Sequence, residues 1–144
     1  LERDLKRAGV DADAFAKDYE GKIAGLGGAE LGKAVARFEA LQDLMGRIGS
    51  YASLYYAQDM ADPERGRFSQ NVSEALTDIG SKLLFFRLEL NKIEDADLSA
   101  KMKEPALAKY GPWLRDVRVF RPHDLSDEPR HSATRLLRRL GRHK

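Results

Sequence analysis

The sequence predicts an all-α fold: two or three long antiparallel helices, as a helical hairpin or bundle, followed by short C-terminal helices. Three observations predict it. Apolar residues recur every three or four positions over long stretches, helix start and stop signals fall between those stretches, and the one strand-like alternation, Phe86 to Leu90, continues a longer helical stripe. A chain of 144 residues bounds the answer to one domain with one buried core.

The elements follow in order. Phe15, Tyr19, Ile23 and Leu26 share a face, and Gly25, Gly27 and Gly28 predict the end of that first helix. A second helix is predicted from Ala29 to about Ala61 through Leu31, Val35, Phe38, Leu41, Met45, Ile48, Ala52 and Tyr55. Gly32, Gly46 and Gly49 weaken its interior and predict places where another helix packs closely. Asp62 and Pro63 predict a new start, because the carboxylate can cap a free N–H and proline at the first position lacks only a donor that would be unpaired. The third helix carries Phe68, Val72, Leu76, Ile79, Leu83, Phe86 and Leu90, and its surface near Leu83 to Phe86 is apolar on nearly all sides. Beyond Glu94 the elements shorten to Asp97–Lys103, Ala106–Lys109 and Trp113–Phe120, each set off by proline or glycine.

Composition excludes several classes. With 42% hydrophobic and 33% charged residues and a mean hydropathy of -0.53, the chain is neither a disordered polyelectrolyte nor a bilayer protein. The densest apolar run, Leu83 to Leu90, is interrupted by Arg87 and Glu89, so no membrane partner is expected. The mixed-charge start shows no leader pattern, and the absence of cysteine excludes disulfides and thiolate chemistry, which fits a cytoplasmic location. The net charge of +2 hides an asymmetry: residues 129–144 hold six Lys or Arg and no acid, whereas residues 1–128 are net -4.

Few residues point to chemistry. His123, His131 and His143 lack the one-turn spacing that puts two metal ligands on one helix face. Ser50, Ser53 and Ser81 lack a nucleophile-elbow context, and the Gly25–Gly28 cluster has no preceding strand or following Lys-Ser. Tyr51, Tyr55 and Tyr56 are the candidate peptide-contacting or interface residues: Tyr51 and Tyr55 share a face, with Tyr56 about 100° away. The basic tail lacks the interleaved aromatics of a nucleic-acid binder, so no nucleic-acid partner is expected.

Four runs in register carry a resemblance. Phe38 to Ala52, Ala61 to Pro63, Ile79 to Asn91, and Tyr110 to Asp116 with Phe120 to Glu128 together resemble the N-terminal region of oligoendopeptidase F type peptidases, the M3 family of zinc metalloendopeptidases, over roughly residues 10–128. The resemblance implies a largely helical enzyme around a deep channel for short peptides, with zinc held by an H-E-x-x-H helix and a downstream glutamate. This chain has no H-E-x-x-H, so no catalytic or metal residue carries over and no cofactor is expected in it. The expected role is that of a non-catalytic N-terminal helical domain, residues 1–128, forming channel wall and bracing a catalytic peptidase domain. Residues 129–144 depart from the pattern as a basic tail, helical or disordered. The expected partners are a second copy or a catalytic domain; the alternative is a stand-alone helical protein-interaction module.

Overall fold

In the computed structural model, which describes residues 1–119, six α-helices and one 3-10 turn carry the chain, and no described residue is in a strand. They are α1 (Glu2–Tyr19), the 3-10 turn Ile23–Gly25, α2 (Gly28–Gln58), α3 (Pro63–Lys92), α4 (Asp95–Lys101), α5 (Pro105–Ala108) and α6 (Gly111–Val119). At about 1.5 Å per residue, α2 and α3 are each roughly 45 Å long. No helix among the described residues is long and apolar enough to cross a membrane.

The first helix differs from the sequence expectation at both ends. It begins at Glu2 because Ala8 and Ala12, fully buried with Phe15, extend the inward stripe toward Leu5. Alanine gives little apolar contrast, so that half of the stripe carries only a weak periodic signal. It stops at Tyr19 rather than near Leu26, since Gly21 takes a φ of 79°, a left-handed conformation that side-chain-bearing residues resist. The Glu89 carboxylate on α3 accepts the Gly21 N–H at 2.9 Å and the Ile23 N–H at 3.4 Å, which seats the buried Ile23 turn against α3.

Helix α2 ends at Gln58, three residues before the expected boundary, with Asp59 leaving the helical conformation and accepting the Ala61 N–H at 3.2 Å. The start of α3 is as the sequence predicts: Asp62 accepts the Glu64 N–H at 3.0 Å and Pro63 opens the helix. Contacts between the two long helices pair Gly49 with Leu76 and Gly80 with Met45, so residue numbers fall on one as they rise on the other, an antiparallel hairpin. Helix α1 runs against α2 and along α3: Arg37 meets Asp18, Phe38 meets Phe15, and Asp13 meets Lys82.

The helices converge on one aromatic cluster. Phe15 lies 5.2 Å from Phe86 edge-on and 6.1 Å from Phe38, Phe38 lies 4.8 Å from Phe86, and Trp113 of α6 lies 5.8 Å from Phe38. Helix α6 is held at the end of α3 by Arg118, whose guanidinium donates to the carbonyls of Leu90, Asn91 and Ile93. Those carbonyls belong to the helix end, where intrahelical donors run out.

The glycines of α2 divide. A Cβ at Gly32 would sit 2.7 Å from the Ala106 carbonyl, and one at Gly28 would meet Glu104 Cγ at 2.6 Å, so α5 and the chain leading into it lie directly on the α2 backbone. Gly49 has only an ordinary contact with Leu76 at 3.5 Å, and Gly46 has nothing within 4 Å, so the expected close approach does not occur at Gly46. The apolar surround on α3 is also covered unevenly: Leu83 and Phe86 are buried, whereas Leu84 is 46% exposed.

Gly46→Ala should stabilise by about 1 kcal/mol through helical propensity. Gly32→Ala should destabilise by about 1–2 kcal/mol, because the same gain is outweighed by overpacking against backbone. Thermal melts should shift in opposite directions. Phe86→Ala, which empties the centre of the cluster, should cost about 3–5 kcal/mol in a denaturant titration.

Candidate functional site

The tyrosines stand near the hairpin end of α2 and α3, with Tyr51 and Tyr55 beside the start of α1. Tyr51 and Tyr55, one helical turn apart, have nearly parallel rings with centroids 6.3 Å apart and planes 7° apart. Tyr55 also meets the edge of Phe68 at 5.2 Å across the hairpin. Its ring carries the Arg65 guanidinium at 4.5 Å, while Arg65 donates to the Tyr55 carbonyl at 2.9 Å and to Gln58 Oε1 at 3.0 Å. Tyr56 faces elsewhere, toward the backbone at Gly66. The structure thus brings Tyr51 and Tyr55 together and sets Tyr56 apart.

A groove of about 870 Å³ opens beside the paired rings. It is lined by Tyr51 and Tyr55 of α2, Glu64 and Phe68 of α3, and Leu1 to Asp4 at the start of α1. Glu2, Asp4 and Glu64 line it together with Arg3, and Arg65 lies on the adjoining Tyr55 ring. Residues 1–4 and Phe68 are far apart in sequence, and no local spacing could have joined them. Only the parallel course of α1 and α3 does so.

A second cleft, between α1 and α2, holds Arg7, Arg37 and Arg47. Each is engaged by an aspartate: Arg37 with Asp18 at 2.9 Å, Arg47 with Asp43 at 3.5 Å, Arg7 with Asp11 at 3.6 Å. The Asp18 hydrogen bond raises the Arg37 pKa above its ordinary value and keeps the group charged. Positive charge in this cleft is largely spent within the molecule.

No group of three His, Cys, Asp or Glu side chains that could hold a metal ion occurs among the described residues, so they do not fit the zinc of the resembled enzymes. His123, His131, His143 and the basic tail lie outside the described residues. The Ser81 hydroxyl is used inside α3, donating to the Thr77 carbonyl at 3.1 Å. Chemically, the site offers aromatic surface with carboxylates and guanidinium groups beside it.

The tyrosines should separate in a stability measurement. Tyr55→Ala should cost about 2 kcal/mol, because it removes an aromatic contact and a cation–π contact. Tyr51→Ala, at a side that is 53% exposed, should fall within about 0.5 kcal/mol of the parent.

Residues 89–131, under a third of the chain, match the family model of the M3 peptidase N-terminal region, described as oligopeptidase F. No curated protein and no solved structure matches the chain. The matched stretch includes the end of α3, helices α4 to α6, and the runs Tyr110 to Asp116 and Phe120 to Glu128. Over those residues the chain is similar to the N-terminal region of the oligopeptidase F family.

Proposed function

We propose that the chain is the non-catalytic N-terminal helical part of an oligoendopeptidase F type peptidase, which forms channel wall and braces a catalytic domain. The observation that carries this reading is the family match at residues 89–131. It falls on the elements that close the aromatic core: α6 contributes Trp113 and Arg118, and α5 lies on Gly32. In this reading the zinc and the peptide-cleaving groups come from the catalytic domain, the location is the cytoplasm, and short peptides are bound only in the assembled enzyme.

A specific observation favours the second reading, a helical protein-interaction module. Tyr51, Leu54 and Met60, at 53%, 67% and 66% exposure, are large apolar side chains left open near the hairpin end. Such surface is a usual sign of a partner. In this reading that partner is a second copy of the chain.

The test mixes the chain with an M3 catalytic domain lacking its own N-terminal region, in the presence of zinc and a quenched peptide. The expected outcome is no turnover by the chain alone, a complex by sedimentation, and faster turnover by the mixture. Chelator-sensitive cleavage by the chain alone would overturn the non-catalytic reading. A chain that forms dimers and ignores the catalytic domain would establish the interaction module instead.

A further inference from the structure

We propose that α6 is a lid over the aromatic cluster, which opens as a unit while α1 to α5 stay folded, and that the Arg118 guanidinium is its latch. Helix α6 belongs to the stretch that the family model matches, and bracing a catalytic domain does not by itself require it to move. Most of the core is made without it. Among the described residues, the buried hydrophobic side chains beyond Ile93 are Leu107, Leu114 and Val117, and α6 supplies the last two. Lifting α6 also removes the Trp113 ring, 5.8 Å from Phe38 and 6.3 Å from Phe86. It leaves Phe15, Phe38 and Phe86 packed on one another. A helix of nine residues has little stability of its own in water, so α6 is helical because it is docked and opens all at once.

The neighbouring α5 sets the hinge. It is anchored: Leu107 is fully buried, and the Ala106 carbonyl lies so close to Gly32 that a Cβ there would sit 2.7 Å from it. Lys109 and Tyr110 alone separate α5 from α6, so the break falls at these two residues. The latch is polar. Arg118 donates to the carbonyls of Leu90 at 3.3 Å and Asn91 at 3.0 Å, and to that of Ile93, at the end of α3 where intrahelical donors run out. Its side chain is 16% exposed, and the Asp95 carboxylate, 86% exposed, lies 3.6 Å away. When α6 lifts, water takes the place of the guanidinium at these carbonyls and surrounds the guanidinium itself. Hydrogen bonds are then exchanged rather than lost, which makes a polar latch easier to open than an apolar seam of the same size. The planar fork of arginine meets three fixed carbonyls, so α6 returns to one seat.

Native-state hydrogen exchange of the full chain, followed by NMR at low denaturant concentration, measures the opening directly. The amides of Leu114 and Val117 should exchange at least about tenfold faster than those of Ile79 and Leu83 in the middle of α3. Arg118→Ala should speed exchange in α6 by about a further tenfold and leave Ile79 and Leu83 unchanged. It should also raise the acrylamide quenching of Trp113, whose fluorescence is unambiguous because the chain has one tryptophan. Arg118→Lys should fall between the parent and Arg118→Ala, since an ammonium can reach these carbonyls without the fork. Three results would overturn the proposal: Leu114 and Val117 exchanging only as slowly as Ile79 and Leu83, Arg118→Ala speeding all four amides alike, or Arg118→Ala speeding none. The parent alone tests the lid, and Arg118→Lys tests the latch if Arg118→Ala folds poorly.

Discussion

The packing of Phe86 against Phe15, Phe38 and Trp113 is the contact on which the rest of the structure depends. It joins α1, α2, α3 and α6 at one place. Phe15 and Phe86 are both fully buried, and edge-to-face and offset pairs of this kind add about 0.5–1.5 kcal/mol each beyond their buried area. The cluster also sets orientation. Once Phe15 sits on Phe86, α1 must run along α3, with Asp13 near Lys82 and Gly21 near Glu89. The same register carries residues 1–4 to the far end of the hairpin, beside Tyr51.

Polar contacts then fix what the aromatic cluster has placed. Lys101 donates to the Leu26 carbonyl at 2.6 Å, tying α4 to the turn before α2, and Arg118 ties α6 to the end of α3. These bonds satisfy carbonyls at chain turns and helix ends that would otherwise need water. The surface ion pairs matter less: Arg47 and Asp43 are each 71% exposed, and such pairs contribute at most about 1 kcal/mol. The two ends of the bundle differ as a result. One end is capped by α4 to α6 and cross-linked, while the hairpin end carries the open groove and the exposed Leu54 and Met60.

Much of this was legible in the sequence, for reasons that are local. The stripes of α2 and α3 are long and rich in Leu, Ile and Phe, so their period is plain, and Asp62-Pro63 is a start signal whose capping bond depends only on neighbours. The pairing of Tyr51 with Tyr55, apart from Tyr56, follows from 3.6 residues per turn. The family match at residues 89–131 falls on the last of the four runs that carry the resemblance to oligoendopeptidase F, Tyr110 to Asp116 with Phe120 to Glu128, and on the end of the third. The runs Phe38 to Ala52 and Ala61 to Pro63 lie outside it.

What the tertiary structure decided was everything that depends on distant residues meeting. The first half of α1 is helical because Ala8 and Ala12 fit against α2 and α3, and small side chains leave no periodic signal strong enough to show it. Gly32 and Gly46 are the same residue in the same helix, yet one lies against Ala106 and the other against nothing, because only one faces α5. The groove likewise required α1 to run parallel to α3 before Glu2 and Asp4 could stand beside Tyr51 and Glu64. The sequence by itself determined the helices and their order, since backbone hydrogen bonding, capping and apolar period act over a few residues. The site was decided by packing, since the charge and aromatic surface that compose it come from three helices and converge only when their buried faces do.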